Sequence, residues 1–218
     1  MNWETRPAIR ADVIVEFGGS TLLEGTLTFE QSTGRSRFDL DDGTTLVFDG
    51  STAWVSPQSS PMQGARFHVL TWPYFMAAPF KLDDEGVRIE LHGLNTFNNN
   101  LYESAKLTFE PGVGDSPDDW YILFIDNRTP RLAGMVYIVT YGQSLDEAEK
   151  EPHAIVYEDY RNINGVNLST RWTFHDWDEV TGLKNPPLGS AQWSNLEFIT
   201  PEQGTFDKPA DAREDAQP

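Results

Sequence analysis

Along most of the chain, apolar and polar residues alternate one by one. In "LLEGTLTFEQ", Leu23, Leu27 and Phe29 fall on one face, and Glu24, Thr26, Thr28 and Glu30 on the other. "RSRFDL" sets Arg35 and Arg37 against Phe38 and Leu40, and "VRIELH" sets Val87, Ile89 and Leu91 against Arg88, Glu90 and His92. "SAKLTFE" (Ala105, Leu107, Phe109) and "GVNLSTRWTF" (Val166, Leu168, Trp172, Phe174) repeat the pattern. Period two is the signature of a strand with one wet face and one packed face. "WYILFI" (Trp120–Ile125) and "LAGMVYIVTY" (Leu132–Tyr141) differ, being apolar on both faces around the turn cluster "DNRTP". They predict a central hairpin covered on both sides, with a bend at Gly134.

Turn signals at Gly18–Ser20, Ser32–Gly34, Asp41–Gly43, Asp49–Gly50 and Ile163–Gly165 divide the rest at short spacing. The expected architecture is mainly β: one large, curved antiparallel sheet, a half-closed barrel of about ten or eleven strands. Residues 1–206 form this single domain. The polar tail 207–218, rich in Pro and Ala, is expected to be disordered.

One stretch breaks the pattern. "FHVLTWPYFMAAPFKL" (Phe67–Leu82) holds a single charge, Lys81, and two prolines. Helical spacing places Val69, Trp72 and Met76 on one stripe with Phe75 beside it. Pro73 is expected to interrupt this helix and Pro79 to end it. The stretch is too short to span a bilayer and too poor in cations for an interfacial anchor. A curved sheet needs its concave face covered, and this segment is the candidate lid. A second, exposed helix is expected over Ser144–Glu151, where Ser144 and Glu147 have capping-box spacing.

Charge narrows the partners. Sixteen Lys and Arg against 34 Asp and Glu give a net charge of -18. Such a surface repels nucleic acid and anionic lipid. Cysteine is absent, which removes disulfides, thiolate nucleophiles and Cys-based metal sites. "MNWETRPAIRADV" contains no apolar signal-peptide core. The expected location is periplasmic or otherwise exported, with a leader absent from this sequence, and a cytoplasmic location stays open.

From Leu23 to Pro57 the sequence resembles periplasmic lipoprotein carriers of the LolA/LolB type and the wider LolA-like superfamily. Gly25 and Leu27 match the family's Gly-x-Leu strand, and Phe38 its aromatic strand. Asp49, Gly50, Trp54 and Pro57 match its Asp-Gly-x-x-x-Trp turn and strand, and Phe206–Pro209 a late Phe-x-x-Pro. The resemblance implies a half-closed, roughly eleven-stranded sheet lidded by helices over an apolar cavity for acyl chains. The carriers hold their lid with a basic residue shortly after the Gly-x-Leu strand; Gln31 stands at the best-matching position here. The insert Phe109–Asp119 and the two-sided hairpin also depart from a minimal carrier.

A lidded sheet of this kind predicts non-catalytic binding or carriage of a lipid, acyl chain or other hydrophobic molecule, with an envelope protein as a further candidate partner. The expected cavity residues are Leu27, Phe29, Trp54, Trp72, Phe75, Met76, Phe80 and Tyr137. The alternative is that the same side chains simply fill the concavity, leaving a scaffold for protein interaction. No catalytic residue, metal or cofactor is expected: His68, His92, His153 and His175 have no ligand spacing, and no G-x-S-x-G or phosphate-binding glycine loop occurs. A third alternative is a hydrolase using the strand end His175–Glu179, where His175, Asp176, Asp178 and Glu179 gather.

Overall fold

The structure is a computed structural model, and residues 3–129 and 131–216 are described. Met1, Asn2, Pro130 at the end of the "DNRTP" turn, Gln217 and Pro218 lie outside them. Five strands lead off: β1 (Ala8–Phe17), β2 (Ser20–Glu30), β3 (Ser36–Leu40), β4 (Thr45–Phe48) and β5 (Ala53–Ser56). Helix α1 (Ala65–Ala77) and a 3-10 turn (Ala78–Phe80) follow. Next come β6 (Val87–Phe97), β7 (Asn100–Phe109), β8 (Tyr121–Asp126), β9 (Arg131–Tyr137) and the short α2 (Leu145–Ala148). The chain ends through β10 (His153–Ile163), β11 (Val166–Asp178), β12 (Gly182–Leu183), β13 (Gly189–Ile199) and β14 (Arg213–Glu214).

These strands form one antiparallel sheet in the order β14-β5-β4-β3-β2-β1-β13-β11-β10-β9-β8-β7-β6, with β12 on β11. The order explains the helix. The chain meanders outward from β1 to β5, then resumes at β6 on the opposite edge. To get there it must cross the sheet, and the 65–80 segment crosses on the concave side, where Val69, Trp72, Phe75 and Met76 are buried in the main core. Burying such a side chain is worth about 1.5–3 kcal/mol each.

Pro73 does not break α1, contrary to the sequence expectation. A proline at position 73 cannot donate to the carbonyl of Val69. Ser36 on β3 donates its hydroxyl to that carbonyl instead, at 2.5 Å and fully buried. The lost helical bond is replaced from the sheet, so the helix runs on through Pro73 to Ala77.

The central hairpin has a core on each face, as its pattern predicts. Tyr121, Leu123, Met135 and Tyr137 enter the main core, and Phe124 and Val136 a second cluster with Phe97, Ala154 and Val156. The register shifts beside Gly134. A Cβ there would sit 2.2 Å from the Phe97 ring, which is why glycine occupies the position. Gly25 of the Gly-x-Leu strand is equally constrained, since a Cβ would lie 2.2 Å from the Asp39 carbonyl oxygen on β3. In α2, Glu147 accepts from the Ser144 backbone N–H at 3.4 Å and from its hydroxyl at 3.0 Å, closing the expected capping box.

The described part of the tail carries a short strand: β14 pairs Arg213 with Val55 and Glu214 with Trp54. The carboxylate of Asp215 then accepts the Arg66 backbone N–H at 3.0 Å, in the first turn of α1. That turn has no side-chain cap of its own, so the tail supplies the missing acceptor at the positive end of the helix. A correction concerns β6, expected to be half buried. Ile89, Leu91 and Leu94 are exposed, Leu91 by 83%. β6 is the sheet's outer edge and α1 packs on β3, β4 and β5, so between Val87, which packs against the main core, and the buried Phe97 its apolar residues stay in water.

Candidate functional site

On the side of α1 that faces β6–β9, the helix and the sheet enclose a cavity of about 270 Å³. Phe67, Leu70, Thr71 and Tyr74 of α1 form its roof, and Tyr121, Tyr137, Val139, Phe109 and Val87 its floor. The insert between β7 and β8 closes one side with Val113, Asp115, Ser116 and Asp119. Its walls are mainly apolar. Its volume lies near the lower end of the ~300–1,000 Å³ typical of ligand pockets.

The floor is a contiguous aromatic surface. Tyr121 lies 5.4 Å from Tyr74, 6.0 Å from Phe109 and 6.2 Å from Tyr137, centroid to centroid, and Tyr137 lies 5.0 Å from Phe75. Strand alternation accounts for the arrangement: Tyr121 and Tyr137 are directly paired across β8 and β9 and therefore share a face. Burial raises the pKa of all three phenols, Tyr74, Tyr121 and Tyr137, so they stay neutral.

Of the carboxylates that line this space, one is buried. Asp119 is 9% exposed, and burial raises its pKa, opposed in part by hydrogen bonds from Thr140. Its Oδ1 accepts the Thr140 backbone N–H and hydroxyl, each at 2.7 Å. Its Oδ2 meets the Tyr121 hydroxyl at 3.5 Å, a marginal contact. At the rim, Lys81 is paired with Asp84 at 2.8 Å. Arg66 is clamped on Asp115, with Nη2 to Oδ1 at 2.9 Å.

A second depression of about 520 Å³ lies toward the other end of β8, between Leu123, Ile125, Leu132, Tyr160, Trp3 and Phe80. It is larger, but its walls are nearly as polar as apolar and include Glu4, Asp83 and Arg131. The tyrosine-floored cavity is the better candidate for an apolar ligand.

The residues expected to line a cavity separate into groups. Phe75 and Tyr137 line the tyrosine cavity, and Phe80 lines the second depression. Leu27, Phe29, Trp72 and Met76 are buried in the main core, Met76 bordering only a void of about 10 Å³. Trp54 leaves the set: Ala53 and Val55 point inward from β5, so alternation turns Trp54 to the opposite face. There its Nε1 donates to Asp49 at 2.8 Å and Lys208 lies 4.1 Å over its ring. Sequence reasoning missed Tyr74, Phe109, Tyr121 and Asp119. Tyr121 was legible as the partner of Tyr137 in the two-sided hairpin, whereas no sequence signal marked the insert as a cavity wall.

The remaining polar candidates are engaged elsewhere. Nδ1 of His68 accepts the indole N–H of Trp72 at 3.1 Å inside the core, and burial lowers the His68 pKa to about 4 despite the opposing charge of Asp215. Both ring nitrogens of His175 are occupied, by the Lys184 carbonyl and the Thr173 hydroxyl, each at 3.0 Å. Asp178 holds the following turn through the N–H groups of Val180 and Thr181. Asp119 and Asp126 stand at opposite ends of β8. The amide nitrogen and oxygen of buried Gln31 have no hydrogen-bond partner among the described residues. No cluster of His, Asp or Glu suited to a metal ion occurs among the described residues.

An open antiparallel half-barrel wrapped on a single helix, with an apolar cavity between them, is the LolA-like fold. The structure is similar to a LolA superfamily protein from Nitrosomonas europaea, with TM-score 0.62 and 12% identity over 94% of this chain and 91% of that one. A DUF1329 family protein from Desulfovibrio piger matches with TM-score 0.58 and 14% identity, over 94% and 91% of the two chains. A putative outer membrane lipoprotein-sorting protein domain from Vibrio parahaemolyticus matches with TM-score 0.51 and 11% identity, over 92% and 88%. No family model matches the sequence, and no curated protein matches it significantly. No helix among the described residues is long and apolar enough to cross a membrane.

Proposed function

We propose that this protein binds and carries a hydrophobic ligand, an acyl chain or lipid, without catalysing its conversion, in a bacterial envelope. The observation that carries the reading is the apolar, tyrosine-floored cavity between α1 and the concave sheet. The lipoprotein-sorting neighbour supports the envelope setting by analogy of fold.

The apolar surface does not stop at the cavity mouth. Val87 lines the cavity, and Ile89 and Leu91 follow it on the same face of β6, because they pair with Leu107 and Ala105 of the core. The extra residue between Leu91 and Gly93 keeps Leu94 on that face, opposite Glu103, and alternation along β7 adds Leu101. This exposed strip offers the length that a 270 Å³ cavity lacks. Each methylene withdrawn from water contributes about 0.8 kcal/mol.

The self-filled alternative accounts for the other half of the helix. Trp72 and Met76 pack against core residues and leave no ligand space there. The test is titration with a neutral apolar fluorophore, N-phenyl-1-naphthylamine, against the protein and a Val139→Trp variant that fills the cavity. Saturable binding that the variant loses supports the reading. Equal binding by both removes the cavity from it.

A further inference from the structure

The tyrosine cavity is built for one kind of head group. Its floor and roof bring Tyr74, Phe109, Tyr121 and Tyr137 together, and the π-faces of such rings attract cations. Four carboxylates line it, Asp84, Glu85, Asp115 and Asp119, against one amine, Lys81. That amine is already neutralised by Asp84, and Arg66 at the rim by Asp115. Neither cation is left to receive an anionic head. Asp119 stands apart from a solvated acidic cluster: it is nine-tenths buried, its Oδ1 accepts twice from Thr140, and among the described residues its Oδ2 meets only the marginal Tyr121 contact. A buried carboxylate oxygen without a good donor is costly unless a ligand supplies the charge.

We propose that the ligand is a cationic amphiphile, whose amine or quaternary ammonium head sits among Tyr74, Phe109, Tyr121 and Tyr137 beside Asp119. Its tail leaves past Val87 along the apolar strip of β6 and β7. The free fatty acid, with a carboxylate head, is the ligand this lining disfavours. The inference rests on the cavity being a ligand site.

The experiment compares three decyl probes by isothermal titration calorimetry at pH 8 in moderate salt, below micelle formation: decyltrimethylammonium, 1-decanol and decanoate. The protein should bind decyltrimethylammonium about tenfold or more tighter than decanol, and decanoate weakest. Asp119→Asn, which keeps an acceptor for Thr140, should lose most of that preference while decanol binding persists. Phe109→Leu, outside the Asp119 hydrogen bonds, should also weaken the cationic probe selectively. Glu16→Gln, an exposed carboxylate on β1 away from the cavity and the strip, should leave all three unchanged, which separates the site from general attraction to an acidic protein. Equal affinity for decanol and the ammonium, or a preference indifferent to Asp119 and Phe109, overturns the inference and leaves the cavity reading standing. Binding of none of the three overturns both.

Discussion

The hydroxyl of Ser36 donates to the carbonyl of Val69 at 2.5 Å, and that carbonyl is the one Pro73 deprives of its helical partner. The contact joins β3 to the middle of α1 and lets a proline-containing helix lie flat on the sheet. Ser36→Ala leaves the carbonyl buried and unpaired and should cost about 1–3 kcal/mol in urea unfolding. Pro73→Ala restores a helical donor. In that background the Ser36→Ala cost should shrink well below its value alone, and strictly additive costs would refute the coupling.

His68 makes stability depend on acid. Its folded pKa, about 4, lies below the ordinary value of 6.5 because burial penalises the cation. Between those values the unfolded chain takes up a proton that the folded chain refuses. Stability is therefore full above pH 6.5 and falls as the pH drops toward 4, by about 3 kcal/mol for this group. His68→Gln keeps an acceptor for Trp72 without the titration. Its stability should be flatter over that window in chemical denaturation, and an unchanged slope would assign the acid sensitivity elsewhere.

The tail holds α1 through Asp215. Asp215→Ala removes the acceptor for the Arg66 N–H and should cost about 1 kcal/mol. Hydrogen exchange should quicken at Arg66, Arg213 and Glu214 while β10 and β11 stay protected. Uniform exchange across the molecule would contradict a local role.

In the proposed reading the exposed strip serves the ligand tail and has no part in stability. Leu91→Ser with Leu101→Ser should change unfolding free energy by less than about 0.5 kcal/mol per site, since these side chains are 83% and 62% exposed. The pair should weaken a sixteen-carbon probe while sparing a six-carbon one. Equal loss for both lengths would place the tail elsewhere.

The sheet was legible because its signal is local. Strand alternation, the two-sided hairpin at 120–141 and the Asp49–Trp54 turn each depend on neighbouring residues. The site was legible only in part, because it depends on distant ones. Of the expected cavity residues, Phe75 and Tyr137 line the tyrosine cavity. Trp54 was misplaced because a motif names a residue without its face; Ala53 and Val55 carried that information. Pro73 looked like a break because its compensating donor, Ser36, lies 37 residues upstream. The polar tail gave no sign of pairing, since the Arg213–Glu214 strand and the Asp215 contact arise only once β5 and α1 are in place.

The most direct test of the central claim is mass spectrometry of an organic extract from freshly purified protein, beside one from Val139→Trp. A stoichiometric amphiphile in the first extract and its loss from the second are the predicted result. A clean extract from both, with no uptake of added decyl or hexadecyl probes, would mean that the cavity is empty structural space and that the protein is not a carrier.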